Sequence, residues 1–288
     1  MSSSPAARRA LLALACLLLP LSGCARRAGA PARVVVASIG PLADWARHVA
    51  GPGWQVLSVV PPGASPHAFE MLPRDVQRYQ RAALWVRVGA GLDPFVDRLI
   101  EAAGARRVLT LTDGMTLVDG NPHVWLDPAV ARAALPRIAA ALAALEPADS
   151  AGFRARAEAY GAALDSVDAE YRAATARFRV RRFVAFHEAW IYLARRYGLE
   201  QAGSVEPAPG REPGPADWGR LVALVRASGS RVVFAEAQYG LRLPRALAAD
   251  AGARVLLLDP AGTTGDPAGE SYVALMRRNL AALKEGLQ

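Results

Sequence analysis

The chain has 288 residues, with 34 basic against 26 acidic side chains, four histidines, two cysteines and a formal charge of +8. That length allows two modest domains, each able to bury its own core. Lys284 is the only lysine, and the arginines are scattered among Ala, Gly and Pro instead of forming a basic stripe, so a nucleic-acid footprint is not indicated.

Residues 1–23 read as a signal peptide: Arg8 and Arg9, an apolar run from Ala10 to Leu21, then small residues. The run is too short to span a bilayer as a mature helix. Leu21-Ser22-Gly23-Cys24 matches a bacterial lipobox, so Cys24 is expected to carry lipid and to become the first mature residue. Cys16 lies in the removed segment, which leaves no pair for a disulfide although an exported protein could form one. Residues 24–32 form a tether.

An N-terminal α/β domain is expected over 33–146. Arg33 to Ser38 reads as a buried strand, Pro41 to Ala50 as a helix and Val56 to Val60 as a second strand, the pattern of a parallel α/β unit. A stiff Pro-rich loop follows and ends at His67, where a ligand would lie at a strand's carboxyl end. A helix near 73–80, a strand at 84–88, a helix after Pro94 and a strand at 108–112 complete this half.

The stretch Asn121 to Pro128, NPHVWLDP, is the most particular in the chain. Asp127 can cap a helix and Pro128 suits its first turn, which places His123 at a strand-to-helix junction facing a cleft. Taken alone, a loop histidine is more often an ordinary surface residue. The helix after it contains Pro136, which should bend it and to which no function attaches.

Residues 147–180 are read as a linker helix. Phe153, Ala157, Tyr160, Leu164, Val167, Tyr171, Ala174 and Phe178 alternate by four and three, one continuous apolar stripe. The stripe could be a coiled-coil seam, but Ala at two of its positions is weak for that, and a stiff connector is preferred. A C-terminal α/β domain over 181–288 repeats the earlier logic. Its strands are expected at 183–186, 232–236 and 255–258, and its helices at 188–197 and 217–228, after Pro244 and at 272–287. His187 follows the first of those strands and Asp259 the last.

His67, His123, His187 and Asp259 together would suit a tetrahedral divalent transition-metal site, although separations above fifty residues prove nothing by themselves. The motifs resemble the zinc- and manganese-type solute-binding proteins of bacterial ABC importers. The matching pieces are VPPGASPHAFE at 60–70, NPHVWLDP at 121–128, FHEAWIYLARRYGL at 186–199, REPGPADW at 211–218, VVFAEAQY at 232–239, LLDPAG at 257–262 and SYVALMRRNLAAL at 271–283. The resemblance implies two α/β domains with parallel-type sheets, joined by one long helix, and a metal in the cleft between them. By motif position it implies His67 and His123 as ligands from the first domain and His187 and Asp259 from the second. Glu212 and Glu236 match acidic positions of the family and are read as supporting the ligands or the structure. His48 matches no ligand position and is read as an exposed helix residue.

Many zinc-type members carry a His- and Asp-rich loop before the second histidine; here 113–121 is short and without histidine. Some carry a carboxylate just before the first histidine, where this chain has Pro66, which leaves Asp259 as the anionic ligand.

The implied function is capture of Zn2+, with Mn2+ as the alternative, by a non-enzymatic, monomeric, extracytoplasmic lipoprotein that serves an ABC permease and its ATPase and binds no nucleic acid. A metal-dependent adhesin is compatible with the same resemblance. A zinc hydrolase fits less well, because the second histidine that HExxH needs is Ile191.

Overall fold

The computed structural model describes residues 33–71, 73–105, 107–206, 211–262 and 271–288. The signal peptide, Cys24 and the tether therefore lie outside the described residues.

Two four-stranded parallel sheets organise the chain. The first contains β1 (Val34–Ala37), β2 (Gln55–Ser58), β3 (Leu84–Arg87) and β4 (Val108–Thr110), in the spatial order β2-β1-β3-β4. Its crossovers run through α1 (Gly40–Ala50), α2 (Pro73–Tyr79) and α3 (Pro94–Ala102). Val35, Val36 and Ala37 are wholly buried, as expected of a β-branched strand covered on both faces. Helices α1 and α3 each carry a proline in the first turn, where its missing N–H costs nothing.

From β4 the chain passes through Asn121 and His123 into a short 3-10 turn at Val124–Leu126, then into α4 (Pro128–Ala143). Asp127 caps that helix by accepting from the Ala129 N–H at 2.8 Å. Helix α5 (Ser150–Thr175) follows, 26 residues and about 39 Å long. Every member of its apolar stripe, from Phe153 to Phe178, is buried inside the chain. The stripe packs on α4 and α1 at one end and on the last helix, α9 (Tyr272–Leu287), at the other. It is thus spent on the protein's own core and is no seam for a second chain. Hydrogen bonds mark the same division: Arg156 donates to the Val49 carbonyl at 2.8 Å, and the Tyr171 hydroxyl to the Met276 carbonyl at 2.7 Å.

The second sheet repeats the first in the order β6-β5-β7-β8, from β5 (Arg182–Ala185), β6 (Glu200–Ser204), β7 (Val232–Ala235) and β8 (Arg254–Leu257). Between these strands run α6 (Ile191–Arg196), α7 (Pro215–Ser228) and α8 (Arg242–Ala251). Strand β6 is absent from the sequence reading, because Glu-Gln-Ala-Gly-Ser has neither alternation nor β-branched residues. It forms by pairing with β5, across a register shift at Phe183/Val184. In both sheets the strands point the same way, so the loops at their carboxyl ends collect on one rim.

Candidate metal centre

Each site histidine leaves such a rim. His67 lies on the loop after β2, His123 after β4 and His187 two residues beyond β5. The loops bring all three rings together: His67 Nε2 stands 3.0 Å from His123 Nε2, which stands 3.1 Å from His187 Nε2. Their candidate ligand atoms all lie within 4.8 Å of one another. His123 and His187 are buried, at 4% and 5% exposure. Desolvation by burial, then the neighbouring His187, lowers the His67 pKa to about 4. Burial, then His187 and His67, pushes His123 well below its ordinary value. Both rings are thereby kept neutral, the form that donates a lone pair to a metal.

Hydrogen bonds at the far side of two rings determine where their protons sit. Asn121 Oδ1 accepts from the His123 backbone N–H at 3.0 Å and from its Nδ1 at 2.9 Å, while the Asn121 amide donates to the Glu188 carbonyl. That pattern orients the amide without ambiguity. Glu236, fully buried, accepts from His187 Nδ1 at 2.7 Å and also from the Gln238 amide at 2.9 Å. In its neutral form each of these imidazoles therefore carries the proton on Nδ1 and turns Nε2 toward the cavity. The spacing suits a shared cation: Zn–N bonds of about 2.0–2.1 Å place two nitrogens of a tetrahedral site about 3.3 Å apart.

The site joins the two sheets. Besides the Asn121–Glu188 bond, the Tyr192 hydroxyl donates to the Asn121 carbonyl at 2.7 Å and accepts from the Val118 N–H at 3.1 Å. Ser65 and Tyr239 pair through their hydroxyls at 2.7 Å, and the Trp125 indole N–H donates to the Pro260 carbonyl at 2.7 Å. The histidines line a cavity of about 290 Å³ together with Asn121, Glu188 and Glu206.

Asp259 is not brought into the group. Its Oδ2 accepts from Arg278 at 2.7 Å, and its Oδ1 from the backbone N–H groups of Ala261 and Gly262 at 3.0 and 2.8 Å. In this structure the carboxylate serves a turn and an ion pair with α9, and it does not line the histidine cavity. Glu212 is exposed and paired with Arg242, and it is not among the described residues that line the histidine cavity. His48 lies on the exposed side of α1, stacked on Tyr160 with 3.9 Å between ring centroids. The sequence reading missed Asn121 and Glu206 as site residues. Asn121 sat in view within NPHVWLDP, whereas nothing in the Pro-rich loop marks Glu206.

The profile of the family described as ZnuA, zinc-uptake complex component A, periplasmic, matches residues 35–286. The chain is 28% identical over 300 residues to the zinc-binding lipoprotein AdcA of Streptococcus pneumoniae strain R6, covering 96% of this chain and 60% of that protein. It thus spans well under two thirds of the length of that relative. It is 24% identical over 277 residues to the high-affinity zinc uptake system protein ZnuA of Bacillus subtilis strain 168, covering 88% of this chain and 87% of the relative. Among solved structures, the Zn(II)-bound ZnuA-like domain of S. pneumoniae AdcA superposes with a TM-score of 0.76 at 28% identity, over 88% of this chain and 98% of that domain. With a match that runs through both sheets and the long helix between them, the chain belongs to the ZnuA family of zinc-uptake components.

Proposed function

We propose that the protein is an extracytoplasmic solute-binding protein that captures Zn2+ through His67, His123 and His187 and delivers it to an ABC permease driven by its ATPase. One observation carries the reading: the Nε2 atoms of His67 and His187 stand 3.0 and 3.1 Å from that of His123, while the Nδ1 atoms of His123 and His187 are held by Asn121 and Glu236. Family membership and zinc-binding relatives support it. Three imidazole nitrogens favour zinc over manganese, which stands at the weak end of the affinity order and prefers more carboxylate oxygen. Residues 33–146 and 181–288 act as the two domains and 147–180 as their connector, with the metal as cross-link between them. Lipid on Cys24 would keep the protein, as a monomer, at the membrane that holds the permease. Among the described residues no helix is long and apolar enough to cross a membrane.

Titration calorimetry with Zn2+, followed by competition against Mn2+, tests the reading. One zinc per chain is expected, with manganese displaced by equimolar zinc and binding lost in His123→Ala. Retained manganese would refute the metal preference, and zinc binding that survives His123→Ala would refute the site.

A further inference from the structure

Although the sequence scatters its arginines, the fold collects several at the amino-end edge of the second sheet. Beyond α5 the chain passes Arg177, Arg179 and Arg181 and enters β5 at Arg182, all four exposed. Exposed Arg231 stands just before the neighbouring strand β7, and Arg254 opens β8. Backbone hydrogen bonds bring these strand starts together. The Arg181 carbonyl accepts from the Glu200 N–H at 2.8 Å and the Arg231 carbonyl from the Arg254 N–H at 2.9 Å, while the Arg179 N–H donates to the Leu287 carbonyl at 3.1 Å. With neighbouring strands about 4.8 Å apart, the edge spans about 15 Å. Arg231 holds a φ of +50°, a conformation that strains glycine less.

Opposing charge on this edge is limited. Glu200 and Glu285 are matched by Arg182 and Arg254, and Asp250 lies at the end of α8. Arg177, Arg179, Arg181 and Arg231 form no ion pair among the described residues. Guanidinium groups strung along a sheet edge complement an extended anionic surface better than one small anion. The opposite end of the molecule is where the tether enters. Arg33, at which the described body begins, pairs with Glu146 just before α5 starts, so chain entry and arginine edge lie at opposite ends of that helix, about 39 Å apart. Residues 24–32 reach at most about 30 Å when fully extended, which keeps the body of a lipidated protein close to its bilayer. Resting on the lipoprotein reading above, we propose that the arginine edge is a second membrane contact, seated on anionic phospholipid headgroups while the lipid holds the other end. The body then lies along the bilayer with both lobes at its surface.

The test uses the mature chain without lipid, residues 25–288, which keeps every described residue, and vesicles of phosphatidylcholine alone or mixed equally with phosphatidylglycerol. Co-sedimentation should show binding to the anionic vesicles, none to the zwitterionic ones, and loss as added salt screens the charges. Each arginine near such a surface contributes about a factor of five, so Arg179→Gln/Arg181→Gln/Arg231→Gln should weaken binding about 100-fold. Lysine at the same three positions keeps the charge and should bind within a few-fold of native. Arg98→Gln/Arg154→Gln/Arg245→Gln removes equal charge from α3, the start of α5 and the first turn of α8, and should also bind within a few-fold. Equal losses in the two glutamine variants overturn the proposal, because net charge alone then explains binding. Native binding by the first variant overturns it, as does a lysine variant as weak as the glutamine one, or binding indifferent to phosphatidylglycerol. In the lipidated protein a fluorophore on Ala227→Cys, four residues before Arg231, should be quenched by headgroup-labelled lipid in anionic vesicles; an unquenched label overturns the second contact. A lipidated Cys24 with no preference for anionic vesicles sinks only this proposal, whereas an unmodified Cys24 with that preference supports the arginine edge and sinks only the anchor.

Discussion

Replacing Asn121 with alanine probes the centre without touching a ring. The amide oxygen holds two donors of His123, the backbone N–H at 3.0 Å and Nδ1 at 2.9 Å, while its nitrogen ties the first sheet's loop to the Glu188 carbonyl. Alanine removes all three bonds and leaves two donors of a residue only 4% exposed without this partner. Each buried donor left unpaired costs about 1–3 kcal/mol, and the lower end applies here because Asn121 is only half-buried and water can enter. Two such donors cost about 2 kcal/mol, and at about 2–4 °C per kcal/mol for a chain of this size the metal-free protein should melt about 4–8 °C lower. The effect on zinc is separate. Without Asn121 the His123 proton can move to Nε2, the position that must face the metal. Loss of such a partner typically weakens metal binding about 10- to 100-fold, or about 1.4–2.7 kcal/mol. Chelator competition near pH 7 measures that loss, with Asn121→Asp as control: an aspartate keeps the acceptor, adds negative charge near the ion and should hold native affinity within a few-fold. If Asn121→Ala binds zinc within twofold of the native protein, the tautomer argument fails.

Zinc at about a thousand times its dissociation constant should add about 4 kcal/mol to folding and raise the melting temperature about 8–16 °C, read by scanning calorimetry; an unmoved melt would exclude a cross-link between the sheets. Without metal, His67, whose pKa is lowered from 6.5 to about 4, and His123, also lowered well below its ordinary value, bind fewer protons folded than unfolded. The sign follows: stability should fall as pH drops from 6.5 toward 4, and a metal-free melting temperature that is flat over that window would refute the burial of neutral rings. At lower pH a second loss should appear. Although burial raises Asp168, hydrogen bonds from Arg196, Arg172 and Tyr197 hold it at about 2, so its contribution is present above 3.8 and lost as pH falls through about 2; Arg196→Ala should move that loss upward in an acid titration. Cys24→Ala should release the protein into the soluble fraction, and a variant that stays membrane-bound with an unmodified N-terminus in mass spectrometry would rule out the anchor.

The amino-acid sequence by itself was enough for the periodic elements and for the histidines. Strand β1 and the stripe from Phe153 to Phe178 announce themselves because side-chain periodicity is a local property of the backbone that carries it. Asp127 and Pro128 mark a helix start for the same reason: a cap and its helix are neighbours in the chain. Strand β6 could not be read in this way, since Glu200 to Ser204 has no strand pattern and exists through its hydrogen bonds to β5. The carboxylates are the clearest case. Asp259, Glu206 and Glu236 all follow strands, and nothing local distinguishes their tasks. Tertiary structure decides among them, because α9 brings Arg278 to Asp259, β7 brings Glu236 behind His187, and β6 delivers Glu206 to the cavity. A charge is assigned by whatever stands opposite it, and here each partner lies between 19 and 49 residues away or on another strand of the sheet.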